Sequence, residues 1–356
     1  MKIAVAAEAA PARTLAPILE KLEVECLGLS HGPGAAEILK PFCSQIYPIG
    51  SGRGNSLQKR SRTHIAYLVA GDTLKAVKAL KGKNIDLILT CGNAGDVRKG
   101  ISAANILRIP VLHLEQDIYN PIEMIAFANQ VTAPSNKYKK YLEDNYLLKN
   151  IENIGGYPLA SYINQMTLKN SEDVKNTYHM DDFILLALGG DLKGSDIPGL
   201  IKTMESLEKP VLIVPFRFNS LQVRKMVKSP LIKVVDGFVD LPSIMKSCQA
   251  MVYGAGMGIT LEAGVLEVSS IKIKGFHHEH SSVDLARDMG IPVVDIDDIP
   301  HTLSTVDKPQ SKNLIKDAEV AVDKFVNLVN NFRVEGTSKS GWSTFNKIGK
   351  ARSKFR

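Results

Sequence analysis

The chain has only four cysteines in 356 residues, Cys26, Cys43, Cys91 and Cys248, and no two of them form a C-x-x-C pair. That spacing excludes a cysteine-based zinc site and gives no reason to expect disulfides; buried packing is the role expected of all four. Long apolar runs are missing too. Stretches such as Phe183–Leu188 and Val211–Phe216 fall far short of the roughly 18 residues that cross a bilayer as a helix. There is no Ser-His-Asp order, no G-x-S-x-G elbow, no G-x-x-x-x-G-K-[ST] loop and no G-x-G-x-x-G turn, so hydrolase, P-loop and dinucleotide-dehydrogenase readings lose ground. Acid is absent from residues 336–356, which hold Lys339, Lys347, Lys350, Arg352, Lys354 and Arg356.

Hydrophobic residues make up 44% and charged residues 23%, a globular composition. The length suggests two domains. Net charge is +7, and without the six cations of the tail it is +1 over the other 335 residues. The body is therefore nearly neutral, and its basic pI implies no nucleic-acid partner. The opening MKIAVAAEAAPA reads as a strand entering a small-residue loop rather than a cleavable signal, so a cytoplasmic protein is expected. Trp342 and Phe345 among the tail cations suit an anionic membrane surface, at the inner face of the cell membrane, or a disordered basic tail.

Short apolar runs alternate with helical patterns. Strands are predicted at Lys2–Ala6, Glu23–Leu29, Ile46–Ile49, Asp86–Thr90, Pro110–Leu114, Gln130–Ala133 and Ile151–Ile154, with helices over Leu57–Leu80 and Asp96–Leu107. A second series covers Asp182–Leu188, Pro210–Pro215, Ile232–Asp236, Ala250–Tyr253, Ser269–Lys274 and Pro292–Asp295. Continuous apolar strands between helices imply parallel βαβ units covered on both faces. Gly155-Gly156-Tyr157-Pro158 and the polar stretch Thr167–His179 read as a linker. Asn313–Asn331 reads as a long helix with Ile315, Ala318, Ala321, Val322, Phe325, Leu328 and Val329 on one face. The expected division is 1–158, 159–312, a final helix 313–333 and a basic tail 334–356. In tandem α/β domains the default ligand site is the cleft at the carboxyl ends of the strands.

The densest local signal is Gly237–Gly264. The strand Met251–Tyr253 runs into Gly254-Ala255-Gly256-Met257-Gly258, and a helix opens near Ile259. Glycines let amides approach a ligand, and a helix start favours an anion such as a diphosphate. Glu262 lies about a turn further on, where a carboxylate can bridge two ribose hydroxyls. The competing reading is a glycine-tightened turn with a solvated glutamate. A second turn, Gly189-Gly190-Asp191-Leu192-Lys193-Gly194, can hold phosphate through its amides, with Asp191 repelling it and Lys193 attracting it, or is a plain turn. Gly275-Phe276-His277-His278-Glu279-His280-Ser281-Ser282 follows a strand. Its spacing matches no usual zinc motif, so a sugar- or phosphate-facing loop is preferred.

In the first half, Asn93 and the run Glu115-Gln116-Asp117 end strands. Glu115 and Asp117 are candidate general bases, Asn93 and Gln116 candidate hydrogen-bond donors, and helix capping is the alternative for Asn93 and Asp117. Glu8, in the first strand–helix loop, is a further candidate base. Arg53, Lys59, Arg60 and Arg62 form a basic cluster, able to meet acceptor phosphates or simply to begin a solvated helix.

The segment Phe238–Ala286 resembles the donor-binding half of the MurG-like N-acetylglucosaminyltransferases: Phe238-Val239-Asp240, Gly256 through Glu262, and Gly275-Phe276-His277 align with that family's pattern without a gap. Leu114-Glu115-Gln116-Asp117 is similar to its His-Glu-Gln-Asn stretch, and Gly155–Pro158 to its interdomain hinge. The resemblance implies an α/β GT-B fold, with two Rossmann-like domains whose parallel sheets face a central cleft and a last helix crossing back to the first. It implies sugar transfer, GlcNAc-like, from a UDP-sugar to a lipid-linked or nucleotide-linked acceptor in cell-envelope biosynthesis, without a metal cofactor. On it, Phe238 and Val239 contact the base, the amides of Met257 and Gly258 the diphosphate, and Glu262 the ribose. Gly189, Gly190, His277, Ser281 and Ser282 complete the donor site and Asn93, Gln116 and Asp117 the acceptor site; the family's base is missing from the first loop, so Glu8 would have to replace it, with Glu115 the other candidate. The family's histidine-bearing first loop is replaced here by Ala6-Ala7-Glu8-Ala9-Ala10-Pro11, and its glutamine pair by Ser281 and Ser282. Non-hydrolysing UDP-GlcNAc 2-epimerases share the architecture, but their charged first loop is replaced by Ala9-Ala10-Pro11. A non-catalytic nucleotide-sugar binder is the third reading.

Overall fold

A computed structural model describes residues 1–50, 62–275, 279–334 and 338–353. Arg53, Lys59, Arg60, His277 and His278 lie outside the described residues, as do Lys354 and Arg356. The chain forms two compact units, one of residues 1–162 with 316–356 and one of residues 163–315.

The first unit runs β1 (Lys2–Ala7), α1 (Ala9–Glu20), β2 (Glu25–His31), α2 (Pro33–Leu39), β3 (Gln45–Gly50), α3 (Arg62–Leu80), β4 (Leu87–Cys91), α4 (Gly95–Leu107), β5 (Val111–Leu114), a 3-10 turn (Glu123–Phe127), β6 (Gln130–Ala133), α5 (Asn136–Tyr146), β7 (Ile151–Asn153) and α6 (Pro158–Asn164). The second runs α7 (Ser171–Tyr178), β8 (Ile184–Ala187), α8 (Ile197–Glu205), β9 (Val211–Val214), α9 (Ser220–Met226), β10 (Ile232–Val234), α10 (Leu241–Ser247), β11 (Ala250–Tyr253), α11 (Met257–Val265), β12 (Ser270–Ile273), α12 (Ser281–Asp288), β13 (Val293–Val294) and α13 (Ile299–Leu303). The chain returns to the first unit within α14 (Leu314–Asn330) and ends in α15 (Trp342–Ser353). The sheets are ordered 3-2-1-4-5-6-7 and 10-9-8-11-12-13, and every pairing is parallel. The α/β class with two parallel, Rossmann-like sheets is as expected.

Alternation along β1 explains how one strand feeds two cores. Ile3, Val5 and Ala7 pack on one face with Leu15, Ile18, Phe325 and Val329, while Ala4 and Ala6 pack on the other with Leu29, Val97 and Ile101. The small Ala6 lets α4 come close: a side-chain carbon at Gly100 would stand 2.6 Å from Ala6 Cβ. In α14 the buried stripe is Ala318, Ala321, Val322, Phe325 and Val329, the face that its periodicity predicts. A fully buried side chain such as Phe325 contributes about 1.5–3 kcal/mol.

Two segments differ from expectation. The polar stretch near residue 170 is no bare linker: Asn170 caps α7 by accepting from the Glu172 amide at 3.1 Å, and Val174 is buried. The basic tail is not disordered between 338 and 353. Phe127 packs against Trp342 and Phe345, with ring centroids 4.9 and 5.6 Å away, and Ile348 and Thr344 are buried. Arg352 donates to the carbonyls of Asn120 and Pro121 at 3.0 and 2.7 Å. No helix among the described residues is long and apolar enough to cross a membrane.

Candidate functional site

In the first unit, the carboxyl ends of β1, β2, β4 and β5 gather acid, base and amide groups. Glu8 follows β1 directly and stands at the N-cap of α1. Its Oε1 accepts from the Gly95 amide at 3.1 Å and lies 3.6 Å from His31 Nδ1. His31 ends β2, where a register irregularity sets it opposite Gly50 of β3. Lys99 of α4 donates to His31 Nε2, and at 2.7 Å to Asp72 Oδ2 of α3. An ammonium only donates, so Nε2 accepts and the imidazole hydrogen is assigned to Nδ1, toward Glu8. Lys99, His31 and Asp72 are buried, whereas the Glu8 side chain keeps 29% exposure. Asp72, Lys99 and His31 thus form a buried hydrogen-bonded series, and the accessible Glu8 carboxylate stands 3.6 Å beyond His31 Nδ1, a buried nitrogen with no hydrogen-bond partner; a small approach of the two would complete a path able to hold and pass a proton. Burial alone would raise Asp72, but hydrogen bonds from Lys99 and Lys75 hold its carboxyl below the usual value. Gly50 leaves the room, since a side chain there would strike Asp72 and His31.

Asp96, in the first turn of α4, is fully buried and neither carboxylate oxygen has a hydrogen-bond partner of normal geometry. Burial, and then the charge of Glu8, push it well above the ordinary carboxylate range, with nearby backbone amides offsetting only part of the rise.

Beside this cluster, Asn93 donates to Asp117 Oδ2 at 3.4 Å and to the Asn120 carbonyl at 3.2 Å, and Gln116 reaches Thr14 Oγ1 at 3.3 Å. Asn93 and Asp117 thus meet, while the Gln116 side chain turns to α1. Glu115 is different. Its Oε1 accepts from the amides of Gln116 and Asp117, both at 2.9 Å, its Oε2 faces His113 Nε2 at 3.3 Å, and the residue is 1% exposed. Its carboxylate shapes its own loop and Asp117 is buried too, so of the three carboxylates expected as bases only Glu8 presents an accessible one.

In the second unit the turns after β8, β11 and β12 interlock. A side chain at Gly189 would collide with Ala255 and the Gly254 carbonyl, and one at Gly275 with the backbone of Asp191. Beneath them lies Lys272, 1% exposed, donating at 3.0 Å to Asp191 Oδ2 and at 2.5 Å to the Ala255 carbonyl. Asp191 therefore does not confront a phosphate as its position in the glycine turn suggested; its charge points inward to an ammonium. Burial lowers the Lys272 ammonium from its ordinary value, with Asp191 acting against the shift.

Gly256 caps α11, so the amides of its first turn, Met257 and Gly258 among them, have no intrahelical partner. Glu262 is buried rather than solvated. Phe238 is 95% exposed and Val239 half-buried, on the loop after β10. Gly189 is buried and Gly190 exposed. Ser281 and Ser282 are fully buried, and Ser282 is engaged with His280 Nδ1 through its amide at 3.1 Å and its hydroxyl at 2.8 Å. They offer a sugar no surface; the side chain next to the turn is His280, whose Cε1 would stand 3.5 Å from a side-chain carbon at Gly256. Among the described residues no group of three or more His, Cys, Asp or Glu side chains is arranged to hold a metal ion.

His31, Asp72, Lys99, Asp96 and Lys272 were not among the residues that sequence reasoning singled out. A signal existed for Lys272, which interrupts a strand otherwise buried on both faces.

No family model matches the chain, and no curated protein matches it in sequence. Solved structures do. The Methanocaldococcus jannaschii UDP-GlcNAc 2-epimerase, in complex with UDP-GlcNAc and UDP, is similar with a TM-score of 0.65 at 16% identity, over 100% of both chains. The Rickettsia bellii UDP-N-acetylglucosamine 2-epimerase gives 0.68 at 12% identity, over 93% of this chain and 96% of that one. Acinetobacter baumannii MurG gives 0.52 at 15% identity, over 93% and 99%. At these identities the likeness establishes the GT-B fold. The MurG-like resemblance in sequence thus has its counterpart in fold, at a lower score than these epimerases.

Proposed function

We propose that this protein is a UDP-sugar enzyme that performs acid–base chemistry on the sugar, in the manner of a UDP-GlcNAc 2-epimerase. The observation that carries this reading is the buried series Asp72–Lys99–His31 ending on the accessible Glu8. Inverting a C–H centre requires a proton to leave one face and return to the other, and an accessible carboxylate with a buried imidazole 3.6 Å behind it suits that task. The charged first loop of the epimerases is replaced here by Ala9-Ala10-Pro11, but β2, α3 and α4 bring charge to the same strand ends. The end-to-end likeness to structures named as UDP-GlcNAc 2-epimerases supports the choice of substrate. The second unit would hold the nucleotide, with the diphosphate on the amides of Met257 and Gly258, the ribose on Glu262 and the base against Phe238 and Val239. Amides and the helix start supply the positive potential, so no metal is required.

The ungapped motif match over Phe238–Ala286 favours a second reading, transfer of the sugar to a lipid-linked or nucleotide-linked acceptor with Glu8 as base. Both readings share the nucleotide site, and calorimetric titration with UDP, with and without magnesium, tests it. Saturable, magnesium-independent binding is expected, weakened in Glu262→Ala by about 1–3 kcal/mol. Equal affinity in wild type and variant would remove the site.

A further inference from the structure

The four cysteines, scattered in sequence, do not remain so in the fold. Cys26 lies in β2 and Cys43 in the turn that leads into β3, 17 residues later, and their sulfur atoms are 3.2 Å apart. The backbone fixes this meeting: Ser44 donates to the Cys26 carbonyl through its amide at 2.9 Å and its hydroxyl at 3.2 Å. The two thiols differ in access. Cys26 is 3% exposed, within the core under β1 and β2, whereas Cys43 is half-buried at the rim.

We propose that Cys43 is a thiol–disulfide exchange site, thiolated by a small-molecule disulfide and resolved by Cys26 to leave a Cys26–Cys43 bond. The Cys43 thiolate attacks one sulfur of, for example, glutathione disulfide, and that S–S bond breaks to release one glutathione thiolate. Cys26 then gives up its proton to solvent and attacks the Cys43 sulfur, expelling the second glutathione. Two protein thiols are oxidised and one disulfide is reduced to two thiols. The sulfurs need to approach by only about 1 Å to reach bonding distance. The division of roles follows from access, since only Cys43 meets a small molecule. It is reinforced by their mutual hydrogen bond, which lowers the Cys43 thiol from its usual value and, together with burial, raises that of Cys26.

The bond would close the segment carrying α2 and tie β3, an edge strand of the first sheet, to β2. These two strands end at Gly50 and His31, the pair that borders the buried charge cluster. The site is independent of any nucleotide chemistry.

The test exposes native wild-type protein to glutathione disulfide, counts thiols after denaturation and maps the linked peptides by mass spectrometry. Two of the four thiols should be lost, with a Cys26–Cys43 cross-link, no retained glutathione and a higher melting midpoint that dithiothreitol reverses. Cys26→Ser should retain one glutathione on Cys43, and Cys43→Ser should retain none at Cys26. Four surviving thiols in the native wild type, or glutathione persisting on Cys43 beside a free Cys26, would overturn the proposal. The wild-type map decides the question even if a serine at the buried position fails to fold.

Discussion

Two buried lysines organise the polar chemistry of this protein, one in each unit. Lys272 neutralises Asp191 and holds the Ala255 carbonyl, and so ties the turn after β8 to the turn after β11. Removing one partner of a buried pair leaves the other charge uncompensated, so Lys272→Met should cost about 3–5 kcal/mol in urea unfolding, and the double variant with Asp191→Leu should recover much of it. Asp96 carries the opposite problem, a carboxyl with burial and no normal hydrogen bond. Its value is raised in the folded protein, so its favourable contribution is complete below about pH 4 and is lost as pH rises toward the folded value. Asp96→Asn should therefore flatten the decline in stability between pH 5 and pH 8, measured by urea midpoints; an unchanged slope would contradict the assignment. Glu8 was legible in the sequence because it follows the first strand. His31, Lys99 and Asp72 were not, because their meeting depends on the β2–β3 register and on the approach of two helices to one strand end.

The strands were the most legible elements, since the central ones, such as β4, β8 and β9, are short, largely apolar runs that a parallel sheet buries on both faces. Gln130–Ala133 and Ala250–Tyr253 agree with expectation residue for residue. α7 and α15 were illegible for the same physical reason: their composition is polar, and tertiary contacts rather than amphipathic pattern hold them. For α15 the holding contacts are the buried Ile348 and the pairing of Arg352 with Glu123, at 3.7 Å from Nε. Ile348→Ala should lower stability by about 2–4 kcal/mol in calorimetry or urea titration, whereas a tail that merely awaited a membrane would show no loss. Burial alone would raise Glu123, but the bidentate bond from Arg98 and the nearby Arg352 hold it below the ordinary value. Its stabilisation is present above about pH 4 and is lost as pH falls through the lowered value, so acid should weaken α15 docking. Hydrogen-exchange protection of the α15 amides reports this: protection factors should fall on acidification in wild type and should already be low in Glu123→Gln.

At the scale of the whole molecule, the chain repeats one architecture twice, and each unit has its own polar centre. The second unit offers helix-start amides, a buried glutamate and an exposed phenylalanine ring, which the proposed function assigns to the nucleotide. The first offers a carboxylate near an imidazole, an ammonium and a second carboxylate, which the proposed function assigns to proton transfer. The GT-B fold was legible from strand–helix alternation and the motifs around Gly256. The reaction was not, because one architecture hosts several reactions, and what would choose between transfer and epimerisation are side chains that only the fold assembles. The most direct test is proton NMR of UDP-GlcNAc incubated with the protein in heavy water, with no acceptor present. The account predicts deuterium at C2 of the sugar and appearance of the 2-epimer, both suppressed at least tenfold in Glu8→Gln while UDP affinity is retained. An intact C2 proton after prolonged incubation with protein that binds UDP would contradict it.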